Sequence, residues 1–152
     1  MYNIKNTKYK KYINIKFKLG GKMKEFEDIK IIDVAKNKTK KVSPEKELYY
    51  VYLELSETPT AEWARIFVNE RSFPRHTMWR TAYIEGKYIV INCALEEIKN
   101  FHLSDLKIDV KNSNDKYKKI IEERAIEQKK QEEIIKNEKK KIDDALDKLD
   151  FS

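Results

Sequence analysis

Residues 48–71 read LYYVYLELSETPTAEWARIFVNER, and the change of period inside them decides the fold class. Over Leu48–Leu55 the side chains alternate. Tyr49, Val51, Leu53 and Leu55 lie on one face, and Leu48, Tyr50, Tyr52 and Glu54 on the other, as a β-strand requires. At Ser56–Pro59 the chemistry switches. Thr58 can cap a helix, Pro59 suits the first helical position, and Glu62 favours the positive N-terminal end. From about 59 to 71, Trp63, Ile66, Phe67 and Glu70 recur at helical spacing, with Ala64 and Val68 widening the apolar stripe.

Outward from this stretch the chain continues in the same alternating manner. Glu27–Ala35, with Ile29, Ile31, Ile32 and Val34, reads as a first strand, and Lys36–Lys46 as a polar connection. Arg71–Thr77 is expected to be a loop, because Pro74 cannot continue a helix and biases Phe73 to an extended conformation. Met78–Glu85 and Lys87–Ala94 read as a hairpin turning at Glu85-Gly86. By alternation, Trp79, Thr81 and Tyr83 face away from Met78, Arg80, Ala82 and Ile84. Leu95–Asn100 forms a short turn or helix. Beyond Ser104 a long helix begins, with Leu103, Leu106, Val110, Ser113, Tyr117 and Ile121 in one stripe. Lys107–Val110 and the Asn112-Ser113-Asn114 cluster are its weak points. The seam continues through Arg124, Gln128, Gln131, Ile135, Glu138, Ile142, Ala145 and Leu149, with a polar middle that weakens coiled-coil pairing.

The expected architecture is α+β: an antiparallel four-stranded sheet in β-β-α-β-β-α order with a long C-terminal helix. Residues 24–115 form the core domain and 116–152 a charged helical extension. Residues 1–22 are either a basic arm or a translated leader. They hold seven lysines and no acid, so the whole net charge of +7 resides there. Leu19-Gly20-Gly21-Lys22-Met23 can be encoded by a string containing a bacterial ribosome-binding sequence ahead of a start codon, which makes Met23 the expected natural start.

Composition excludes several classes. The longest apolar runs fall far short of a membrane span, and the N-terminus lacks the apolar region of a signal peptide. The single cysteine, Cys93, excludes an internal disulfide and suits a reducing cytoplasm. With only three glycines there is no glycine-rich phosphate loop, and no cofactor motif is present. Cys93, His76 and His102 lack metal-ligand spacing, so no metal site is expected.

Two groups of residues remain as candidate binding sites. Tyr50, Tyr52, Trp79, Tyr83 and Tyr88 are expected on the sheet face opposite the aliphatic core, where they would suit a protein interface, base stacking, or burial beneath the last helix. Arg71, Arg75 and Arg80, with His76, could form an anion site for phosphate or carboxylate. The bland alternative is ion pairing, with Glu54, Glu62, Glu70 and Glu97 available. Residues 47–110 carry seven cations and ten acids, a net of −3, which opposes a phosphate-tracking groove. Arg71 and His76 also have the Arg-x4-His spacing of some metal-independent ribonucleases, although Pro74 interrupts the helix that carries it there.

The expected function is a small non-enzymatic protein that binds a protein partner, or itself as a homodimer through its C-terminal helix. Its composition suits an accessory bacterial or mobile-element protein. The alternative is binding of nucleic acid or a phosphate ligand by the aromatic face and the arginine loop.

Overall fold

The alternating stretch becomes the central strand of the computed structural model, which describes residues 16–19 and 22–152, with side chains from Glu25 onward. Most of the basic leader therefore lies outside the described residues. Strands β1 (Lys16–Leu19) and β2 (Lys22–Glu25) pair antiparallel as a separate two-stranded ribbon. A second, antiparallel sheet contains β3 (Ile31–Val34), β4 (Lys40–Lys41), β5 (Tyr49–Leu55), β6 (Ala82–Glu85) and β7 (Tyr88–Cys93). Its order is β3-β5-β7-β6, with β4 also paired to β5. Helix α1 spans Ala61–Arg71. A short helix α2 (Leu95–Glu97) and a π-helical turn (Ile98–His102) lead into α3 (Leu103–Leu146).

The class is α+β, as expected, but this sheet has five strands where four were read. The extra strand lies in the polar connection. Lys40 and Lys41 are both exposed and join the sheet through backbone pairing with Tyr50 and Tyr49. Hydrophobic alternation cannot signal such a strand. Between β3 and β4 the chain leaves the ladder, and Thr39 Oγ1 takes over by accepting the Tyr52 N–H at 3.3 Å. The β6–β7 hairpin turns at Gly86-Lys87, where Gly86 adopts φ 59°. That left-handed conformation at the first central position is the role glycine serves in a two-residue turn.

Helix α1 starts two residues later than the sequence suggested. Thr60, not Thr58, is the cap, and its Oγ1 accepts the Trp63 N–H at 3.2 Å. Trp63 and Phe67 are fully buried and stack with ring centroids 5.7 Å apart. The third buried residue of the line is Arg71. It is therefore the last residue of the helix and not part of the following loop. Spacing by four places 63, 67 and 71 along one side, so the buried stripe ends in a cation.

Helix α3 runs unbroken through both expected weak points. Leu106, Val110, Ser113, Tyr117 and Ile121 form its buried stripe. The helix-breaking residues are used as tethers. Ser113 Oγ donates back to Asp109 O at 2.6 Å, a local bond compatible with the helix. Asn114 Oδ1 accepts from Ile29 N (3.2 Å) and Trp63 Nε1 (2.9 Å), while Asn114 Nδ2 donates to Ile29 O at 2.9 Å. Thr60 Oγ1 and Tyr117 OH are 3.2 Å apart, and Lys118 pairs with Asp28 at 2.5 Å.

The chain divides into two compact units. One is Glu27–Lys118, with the five-stranded sheet, α1 and the first part of α3. The other includes the β1–β2 ribbon and the helix from Lys119 onward. In the first unit the helices cover the sheet face bearing Val51, Leu53, Ile89, Ile91 and Cys93, all at most 2% exposed. Among the described residues, no helix is long and apolar enough to cross a membrane.

Candidate functional site

Five of the nine expected site residues converge where α1 ends against α3. Arg71 is completely buried and fully engaged. Its Nη1 donates to Asp109 Oδ2 at 3.1 Å and its Nε to Arg80 O at 2.8 Å. Its Nη2 lies 3.5 Å from His102 Nδ1, and its guanidinium carbon sits 3.6 Å from the centre of the Trp79 ring. Burial pulls the guanidinium below its ordinary pKa, opposed by the hydrogen bond and charge of Asp109. Arg75 Nη1 takes the other Asp109 oxygen at 2.8 Å, and His76 Nε2 meets Asp105 Oδ2 at 2.6 Å. Asp105 and Asp109 are one helical turn apart on α3, so they meet two residues of the loop together.

Trp79 belongs to this cluster and not to the tyrosine face. The strand begins at Ala82, because the segment before it is committed elsewhere. Trp79 Nε1 donates to Arg71 O at 2.8 Å, and its ring receives both Arg71 and Arg75. Alternation extrapolated through Met78–Thr81 therefore gave the wrong side. Arg80 pairs with Glu97 at 2.9 Å, the structural ion pair weighed against an anion site. Each of the three arginines thus has a carboxylate partner: Asp109 for Arg71 and Arg75, and Glu97 for Arg80. Arg71 is fully buried, and its guanidinium is directed at Asp109, the Arg80 carbonyl and His102.

Beside this network lies a group the sequence did not reveal. Cys93 at the end of β7, Glu97 in α2 and His102 at the end of the π-helical turn are all buried. Their ligand-type atoms lie within 4.8 Å of one another. An α-helix separates residues five apart by well over a turn, whereas a π-turn closes i to i+5 and returns His102 to the side of Glu97. Burial raises the Cys93 thiol to about 11, with Glu97 adding to the effect. Burial also pushes the Glu97 carboxyl up, but the hydrogen bonds from Arg80 and the Ala94 N–H outweigh it and hold the group below the usual carboxylate range. His102 is lowered, first by burial and further by Arg71 and Arg80, against the opposing pull of Glu97.

The other four expected residues do share the opposite sheet face. Cross-strand pairing places Tyr52, Val90 and Tyr83 in one row, and Glu54, Tyr88 and Glu85 in the next. Tyr52 is 8% exposed, packs edge-on to Tyr88 at 6.0 Å and contacts Glu85 Oε2 through its hydroxyl at 3.3 Å. Lys38 lies 5.6 Å from the Tyr52 ring centre and 5.0 Å from that of Tyr88. Tyr50 and Tyr88 are half-buried and Tyr83 is exposed. On the helical side, an apolar groove of about 500 Å³ opens beside β3, lined by Val34, Val51, Leu53, Leu95, Ile98 and Leu103 among others.

Comparison with protein-family models, curated proteins and solved structures found no match to this chain.

Proposed function

We propose that this chain is a non-enzymatic interaction protein, an α+β body that displays a long helix for pairing with another helix. The first partner to consider is a second copy of itself. The observation that carries this reading is the exposure of the distal helix. Ile126, Ile134, Ile135, Ile142 and Leu146 are each more than half exposed, on a helix of 44 residues. At 1.5 Å per residue that helix is about 66 Å long. Within the helix, Ile135 and Ile142 lie seven residues apart, the spacing of a helix–helix seam. These aliphatic side chains are available for burial against a partner helix. The groove beside β3, with Leu95 and Ile98 in its wall and Ile32 also lining it, offers a second apolar surface.

Light scattering on the full chain tests the proposal. The expected mass is twice the 18.2 kDa of one chain, returning to a single chain in Ile135→Glu/Ile142→Glu. A monomeric mass for the unaltered protein across micromolar concentrations removes self-pairing.

A second reading, nucleic-acid binding, draws support from the tyrosine face alone. Tyr50, Tyr83 and Tyr88 leave ring surface accessible, with Lys38 over the Tyr88 ring. Stacked bases contribute about 1–3 kcal/mol each. Binding of a single-stranded oligonucleotide should then weaken steeply with salt and fall in Tyr83→Ala. Failure of the full chain to retard any oligonucleotide at low salt eliminates this reading.

A further inference from the structure

We propose that Cys93 Sγ, a Glu97 carboxylate oxygen and His102 Nε2 form a buried site for one divalent cation of the zinc class. One ligand-type atom of each residue lies within 4.8 Å of the others. That is wider than the roughly 3.6 Å set at a tetrahedral centre by bonds of about 2.3 Å to sulfur and about 2.1 Å to nitrogen, so loading draws the three side chains inward by up to about an ångström. Thiolate, imidazole and carboxylate together select a borderline-soft metal over calcium or magnesium, which take oxygen ligands.

The independent observation is His102. Its side chain is fully buried, and Nε2 has no hydrogen-bond partner. Glu97 Oε1 lies 3.5 Å away, close enough to pull on the ring but too long for a well-formed hydrogen bond. A buried ring nitrogen without a well-formed partner is unfavourable, and a cation between the two atoms would engage it together with a free lone pair of Glu97 Oε1, which already accepts from Arg80. The π-helical turn over Ile98–His102 is a second departure from ordinary geometry, and it is what aligns His102 with Glu97.

The surroundings supply the outer shell. Arg80 Nε and the Ala94 N–H each hold one oxygen of Glu97, at 2.9 and 2.6 Å, and fix the carboxylate plane while leaving lone pairs free. Loading exchanges the thiol proton of Cys93 for the cation, and the proton leaves to solvent. Thiolate and carboxylate then neutralise the dication, so the ion and its ligands carry no net charge. His102 must hold its ring proton on Nδ1, which forfeits the 3.5 Å contact with Arg71 Nη2. That contact is at the limit of a hydrogen bond, and Arg71 keeps its bonds to Asp109 and Arg80 O. Three protein ligands leave a fourth position for water. The metal would fasten the end of β7 to the start of α3.

The test is a titration of the chelator-treated full chain with cobalt(II). The expected result is a near-ultraviolet thiolate-to-cobalt band saturating at one equivalent, with one sulfur per cobalt by X-ray absorption and a raised unfolding temperature. Because Cys93 is the only cysteine, a thiolate band assigns the site without any variant. Cys93→Ser should abolish the band. His102→Gln should weaken binding by more than about 100-fold, since changes in outer-shell partners alone cost 10–100-fold. Absence of a thiolate band at stoichiometric cobalt overturns the proposal. So does equal affinity in folded Cys93→Ser, which would place the ion on surface carboxylates.

Discussion

Arg71 Nη1 donates to Asp109 Oδ2 at 3.1 Å, and both side chains have zero exposure. Asp109 also accepts from Arg75, so one carboxylate compensates two guanidinium groups, one of them with no access to water. Removing one partner of a buried pair leaves an uncompensated charge, at a cost of about 3–5 kcal/mol. Asp109→Ala is therefore expected to lose that much stability in urea denaturation. A loss below about 1 kcal/mol would mean that water reaches Arg71 readily.

Asn114 satisfies three groups at once: both backbone groups of Ile29 and the indole N–H of Trp63. Asn114→Leu keeps the approximate volume and strands all three. With about 1–3 kcal/mol for each buried group left unpaired, partly relieved by relaxation, a loss of about 3 kcal/mol is expected. The Trp63 emission should shift to the red in parallel. Unchanged fluorescence alongside full stability would contradict the tether.

Acid should destabilise the metal-free protein in two stages, measured with chelator present. The native pKa of His102 is lowered, so its contribution is fully present above the unfolded value of about 6.5 and declines as pH falls below it. Glu97 is also lowered, so its contribution persists to about pH 4.3 and is lost as pH falls through the native value. His102→Gln should flatten the profile between pH 7 and 5; an unchanged slope there would assign the first stage to another group.

At the alkaline end the sign reverses. The Cys93 thiol is raised to about 11, so the stability it contributes is present below the unfolded value near 9 and is lost as pH rises toward 11. Native Cys93, with no exposure, should react with a thiol reagent only through unfolding. Rapid labelling of folded protein at neutral pH would show that the β7–α2 corner opens on its own.

Gly86→Ala is expected to cost about 1–2 kcal/mol, because φ 59° crowds a Cβ against its own carbonyl. No heavy atom stands within 4 Å of that Cβ position, so the penalty is conformational and not steric contact with neighbours. Gly86→Asn, which tolerates the left-handed region, should cost less. Equal losses for the two would point to some other cause.

The sequence by itself determined the elements whose side chains declare a period. Val51, Leu53 and Leu55 alternate with Tyr50, Tyr52 and Glu54, and they are the central strand. Trp63 and Phe67, like Leu106 through Ile121, repeat at helical spacing and are buried. Tyr50, Tyr52, Tyr83 and Tyr88 could be placed on one face because strand alternation is local. Only the tertiary structure decided the rest. Lys40–Lys41 joins the sheet by backbone bonds that no side-chain pattern records. Trp79 left the tyrosine face because its indole N–H and ring found Arg71, a partner eight residues away in sequence. The arginines were visible as residues, but their neutralisation required the fold to bring Asp105 and Asp109 of α3 and Glu97 of α2 to them. The Cys93, Glu97 and His102 group escaped notice because the C-x3-E-x4-H spacing converges only when a π-turn replaces a turn of α-helix. Periodicity is a property of neighbours along the chain, whereas charge compensation and ligand geometry depend on contacts between residues that the fold brings together.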